Sequence, residues 1–86
     1  MTVQWTASAL DRLADFFVAA DLAEQDVLEA TVRRINATLA GGPQDLGESR
    51  PGGRRVWFAD PLTVVYRAIP TEGRVIVSHV AQRRRK

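Results

Sequence analysis

Three short runs dense in β-branched and aromatic residues dominate the second half of the chain. They are Arg54–Ala59 (RRVWFA), Leu62–Ile69 (LTVVYRAI) and Arg74–Val80 (RVIVSHV). Asp60-Pro61 separates the first from the second, and Pro70-Thr71-Glu72-Gly73 the second from the third. Runs of this length bounded by Pro, Gly and Asp read as β-strands joined by tight turns. Turns so short can join only antiparallel neighbours, which predicts a three-stranded meander ordered as in the sequence. The first half follows a different period. Leu10, Leu13, Ala14 and Phe17 recur at helical spacing over residues 7–20, after an N-capping hydroxyl from Thr6 or Ser8. Asp21-Leu22-Ala23-Glu24 has the form of a capping box and opens a second helix over 22–40, with Leu28, Val32, Ile35 and Leu39 as its stripe. Gly41-Gly42-Pro43 ends it.

Thr2–Trp5 alternates and predicts a short strand ahead of the helices. The segment 42–53, rich in Gly and Pro, reads as a loop anchored by Leu46. The order β-α-α-β-β-β predicts an α+β domain over residues 1–86, in which a helical hairpin covers one face of a small antiparallel sheet. Alternation places Leu62, Val64, Tyr66 and Ala68 under the helices and turns Thr63, Val65, Arg67 and Ile69 to the open face. On the third run, Val75, Val77 and His79 oppose Arg74, Ile76, Ser78 and Val80, and both sets are largely apolar.

Charge sharpens this outline. Residues 1–48 hold eight acids and three arginines, whereas residues 49–86 hold nine bases and two acids. Such a split points to a polyanion or an acidic partner for the sheet half. Eleven of the twelve cations are Arg, the side chain suited to bidentate phosphate contact, although a GC-rich genome produces the same bias. With 86 residues the domain buries only about 60–65% of its unfolded surface, a marginal fraction that a partner would raise. There is no cysteine, which excludes disulfides and thiolate metal sites. The start lacks the pattern of a secretion signal and no apolar run is long enough for a bilayer, so a cytoplasmic location is expected.

No familiar catalytic motif or His/carboxylate metal pair is present, so neither a metal nor another cofactor is expected. Any chemistry falls to Arg, Tyr66, His79 or a lone carboxylate. His79 is the chain's one imidazole, a candidate for proton transfer, or else a half-buried spacer near a strand end. Tyr66 is a core ring with a wet hydroxyl or a general acid/base. Trp57 is a core ring or a base-stacking platform. Arg54, Arg55, Arg67 and Arg83 fall on adjacent strands of one small sheet, which reads as a phosphate- or acidic-peptide-binding surface, with a solvated face as the alternative. Arg84, Arg85 and Lys86 extend that charge through a basic tail over 81–86.

The layout resembles the RelE/ParE superfamily of toxins from type II toxin–antitoxin systems, which also serve in plasmid stabilisation. The resemblance rests on Trp5-Thr6 before the helical hairpin, on Leu46, on Arg54-Arg55-Val56-Trp57, and above all on Leu62–Ile69 and Val75–Val80 with a trailing Arg83. It implies a βααβββ fold and a cognate antitoxin, whose acidic amphipathic segment covers the hydrophobic or basic face. It also implies one of two activities. RelE-like members are metal-independent endoribonucleases that cut mRNA on the ribosome; ParE-like members poison DNA gyrase. By this resemblance Arg54 occupies the position of a catalytic lysine and Arg83 that of the arginine after the last strand. Thr63 stands where the RNases carry an arginine, and Arg67 lies further along the same face. The chain ends in Arg84-Arg85-Lys86 in place of the family's terminal tyrosine or histidine. The RelE-like endoribonuclease, with Arg54, Arg67 and Arg83 on phosphate and Tyr66 or His79 moving protons, is the primary expectation. A ParE-like gyrase inhibitor and a non-toxic nucleic-acid-binding domain are the alternatives.

Overall fold

In the computed structural model, which describes residues 1–42 and 46–83, the first strand and both helices form where the pattern places them. β1 is Thr2–Trp5, α1 is Ala7–Ala19 and α2 is Leu22–Ala40. The Thr6 hydroxyl caps α1 by accepting from the Ala9 amide at 3.1 Å, and the Asp21 carboxylate caps α2 by accepting from the Glu24 amide at 2.8 Å. Gln25 then donates its side-chain amide to the Phe17 carbonyl at 3.0 Å, satisfying the end of α1 and locking the hairpin.

The sheet has five strands in the order β1-β5-β4-β3-β2. β3 (Arg54–Ala59), β4 (Leu62–Ile69) and β5 (Arg74–Gln82) form the expected antiparallel meander. Two features depart from the expectation. β1 pairs parallel to β5, Thr2 with Arg74 through Trp5 with Val77, so the sheet is mixed. A further strand, β2 (Glu48–Arg50), pairs with the start of β3 inside the segment read as a loop. The Pro51–Gly53 turn folds it back, with Gly52 at φ 79° and Gly53 at φ 75°.

The core lies between the hairpin and one sheet face. Leu13, Leu28, Ile35 and Leu39 meet Leu62, Val64, Tyr66, Val75, Val77 and Val80. Each fully buried aliphatic side chain contributes about 1.5–3 kcal/mol. Trp5 fastens β1 to α2 by donating its indole N–H to Asn36 Oδ1 at 2.8 Å.

The ambiguity on β5 resolves at a bulge. Val65 pairs with His79 but Tyr66 pairs with Val77, so Ser78 is an extra residue on β5. The alternation therefore changes phase there: Val75 and Val77 point to the helices before it, Val80 after it, and His79 turns to the open face. The Thr6 amide donates to the Val77 carbonyl at 3.0 Å and seats the start of α1 beside the bulge.

Candidate nucleic-acid interface

Register places the open-face side chains in rows across the strands. Arg50 on β2 pairs with Arg54 on β3, and the same register continued by one residue sets Arg54 opposite Arg67 on β4. Adjacent strands lie about 4.8 Å apart, so three guanidiniums branch from a line roughly 10 Å long. Like charges directly opposite on a sheet repel. Arg54 Nε donates to the Pro51 carbonyl at 3.4 Å and Arg67 Nη2 to the Gly52 carbonyl at 2.8 Å. These bonds aim both side chains over the Pro51–Gly53 turn without neutralising them. Among the described residues neither has a carboxylate partner, and only Arg50 is paired, with Glu48 at 2.9 Å. A row of this kind is an electrostatic seat for an anion with several oxygens.

His79 shares the face. It sits across from Val65, two residues along β4 from Arg67, which makes His79 and Arg67 diagonal neighbours roughly 7–8 Å apart. Its Nδ1 lies 3.0 Å from Ser78 Oγ, which fixes the ring, and Nε2 has no hydrogen-bond partner among the described residues. The next row along is Phe58, Thr63 and Ala81, and Phe58 is 63% exposed.

Behind β2 sits a latch on the opposite, helix-side face. Arg55 donates from Nε to the Leu46 carbonyl at 2.7 Å, from Nη2 to the Gly47 carbonyl at 3.1 Å and from Nη1 to Ser49 Oγ at 2.9 Å. The Tyr66 hydroxyl donates to the same Leu46 carbonyl at 2.6 Å. Burial pushes the Tyr66 phenol above its ordinary value, an effect partly offset by the hydrogen bond and charge of Arg55. The latch holds Leu46–Ser49 on the sheet and thereby positions Arg50 in the arginine row.

No protein-family model matches the sequence, and no curated protein sequence matches it significantly. Solved structures do match by shape. The RelBE2 toxin–antitoxin complex from Mycobacterium tuberculosis contains a chain that superposes with a TM-score of 0.75 at 21% identity, over 95% of this chain and 90% of that one. A chain of the chromosomal ParDE system from P. aeruginosa gives 0.75 at 15% identity, over 98% and 97%. The isolated E. coli RelE toxin gives 0.65 at 13% identity, over 99% and 86%. The chain has the RelE/ParE fold.

On this RelE/ParE fold the residues singled out from sequence do not all meet. Arg54, Arg67 and His79 share the open face. Tyr66 does not: it is 0% exposed, on the helix side of the sheet, with its hydroxyl committed to the latch. Arg55 is likewise half-buried and spends its donors on the latch instead of facing a ligand. Trp57 packs against the core, and its neighbour Phe58 is the exposed ring. Arg83 lies at the opposite end of the strands from the arginine row. Five residues of β4 separate the two ends, roughly 17 Å. There its guanidinium is 3.6 Å from Asp60, and both groups are well exposed, so the pair is weak and open to exchange. Arg84, Arg85 and Lys86 lie outside the described residues. Sequence reasoning missed Arg50 and Phe58. The Pro51-Gly52-Gly53 turn between two arginines is a hairpin signal that marks Arg50. Nothing local marks Phe58 over Trp57; only the register of β3 assigns their faces. Among the described residues there is no cluster of three metal-ligating side chains, and no helix is long and apolar enough to cross a membrane.

Proposed function

We propose that this chain is the toxin of a type II toxin–antitoxin pair and acts on mRNA as a metal-independent endoribonuclease. The observation that carries the reading is the Arg50–Arg54–Arg67 row, unneutralised at Arg54 and Arg67, with His79 on the same face. The chemistry needs little else. The ribose 2′-oxygen attacks the adjacent phosphorus and the bond from phosphorus to the 5′-oxygen breaks. The 2′-hydroxyl proton passes to His79 Nε2, and the leaving oxygen takes a proton from water, yielding a 2′,3′-cyclic phosphate and a free 5′-hydroxyl. The arginine row stabilises the negative charge that accumulates on the non-bridging oxygens. Arg83 holds a phosphate further along the strand after exchanging Asp60 for it. Tyr66, buried and held neutral, keeps the latch and moves no proton. A cognate antitoxin of acidic character would cover the basic face, which fits the partners named for the RelBE2 and ParDE structures.

A second reading has its own support. The ParDE chain matches in shape as well as the RelBE2 chain does, and Tyr66 and Arg83 stand apart from the row. A ParE-like protein would use the same surface to bind gyrase without chemistry. Expression of the chain alone in a bacterial host, with primer extension on abundant messages and an SOS reporter, separates the two. Cut messages with a silent reporter support the endoribonuclease. An active reporter with intact messages refutes it and favours the gyrase inhibitor.

A further inference from the structure

Between the arginine row and Arg83 the open face carries a groove of about 370 Å³. It exists because β1 stops at Trp5. The chain then leaves the sheet, and the first turns of α1 lie beside the second half of β5 where a strand would otherwise continue. Ser8 and Arg12 of α1 form one wall; Thr63, Val65, His79 and Ala81 form the other wall and the floor. The Ser78 bulge is what turns His79 into it. Arg12 lines the groove, its guanidinium lies 5.6 Å over the Phe16 ring, and it has no carboxylate partner among the described residues. The groove thus brings a cationic side chain and an imidazole into one lining with the apolar Val65 and Ala81 and the hydroxyl-bearing Ser8, Thr63 and Ser78.

We infer that this groove receives one unstacked nucleobase of a single-stranded RNA whose backbone lies across the arginine row. The inference rests on the endoribonuclease reading and adds to it the part of the substrate recognised beside the phosphate. Three observations carry it. Arg12 and His79 both line the groove, and single-stranded RNA is commonly held by stacking on Arg and His side chains. Ser8 and Thr63 add hydroxyl-bearing side chains to the same lining, groups able to pair with a base edge. The groove begins one row from Arg67 and ends one row short of the Arg83 end, so a backbone tracking the cations must carry its bases past it.

The test uses a fluorescein-labelled 2′-O-methyl pentanucleotide, which 2′-hydroxyl chemistry cannot cleave, and counterparts with a single abasic nucleotide at each position, followed by anisotropy. Wild-type protein should lose about tenfold in affinity for the counterpart abasic at one position. Ala81→Phe, which fills the groove from the exposed strand surface, should lose about tenfold on the intact oligomer and show no further loss on any abasic one. Ser8→Phe fills it from the other wall and should do the same, with the melting temperature of both variants checked against wild type. Arg67→Ala should weaken every oligomer equally and lower the salt slope by about one. Salt-dependent binding that ignores abasic sites overturns the groove assignment and leaves the phosphate-binding face intact. No binding of any oligomer overturns both. Groove-filling that spares RNA affinity but weakens purified antitoxin gives the groove to the partner protein, and overturns the inference.

Discussion

Replacing Tyr66 with Phe removes one oxygen from the latch that holds β2. In the wild type the Leu46 carbonyl accepts from both Tyr66 at 2.6 Å and Arg55 at 2.7 Å. Tyr66→Phe keeps the buried ring and leaves that carbonyl one donor. The cost is therefore at least one net hydrogen bond, about 1 kcal/mol for each bond lost, and not a desolvated orphan group. For a domain of this size that lowers Tm by about 4–8 °C at neutral pH. Arg55→Ala removes the bonds to Leu46, Gly47 and Ser49 and the contact with the Tyr66 hydroxyl, but still leaves Tyr66 on the carbonyl. The double variant strips Leu46 of both donors, so its loss should exceed the sum of the single losses in a double-mutant cycle. pH supplies an independent check. The folded phenol titrates above its ordinary value of 10.0, so its contribution is fully present below pH 10 and is lost as pH rises from there through the folded value. The stability gap between wild type and Tyr66→Phe, followed by chemical denaturation, should narrow above pH 10. A gap that is absent at pH 7, or one that stays constant into alkali, would refute the latch.

Gly47→Ala should be more damaging than Tyr66→Phe. Gly47 has φ +72° and an added Cβ would lie 2.3 Å from the Val56 carbonyl oxygen, so β2 must move; a loss of about 2 kcal/mol or more in urea melts is expected. Because β2 carries Arg50, the same variant should weaken RNA affinity without touching any cation. Arg50→Ala, Arg54→Ala and Arg67→Ala should each reduce affinity uniformly across sequences and lower the salt slope by about one, measured by titration at several ionic strengths. Trp5→Phe should cost about 1 kcal/mol or more through the lost bond to Asn36, with amide exchange in β1 rising first.

Most of this architecture is written locally. The period-2 runs at Arg54–Ala59 and Leu62–Ile69, the helical stripe through Leu28, Ile35 and Leu39, and the caps at Thr6 and Asp21 predict elements whose ends fall within a residue or two of the observed ones. Local signals suffice there because a side-chain period and a cap engage only near neighbours. The inward set on β4 follows from the same alternation. What tertiary structure alone decided are the contacts between distant residues. Thr2 meets Arg74 in a parallel pair that no short turn could have announced. Glu48–Arg50 carries no apolar alternation and becomes a strand because β3 offers an unpaired edge and Arg55 with Tyr66 pins the chain beside it. Ser78 is inserted against β4 and reverses the faces of everything after it, which sends Val80 inward and His79 outward. A single residue's change of phase is invisible in a run that is apolar on both sides. It is decided by the partner strand, and with it the composition of the open face.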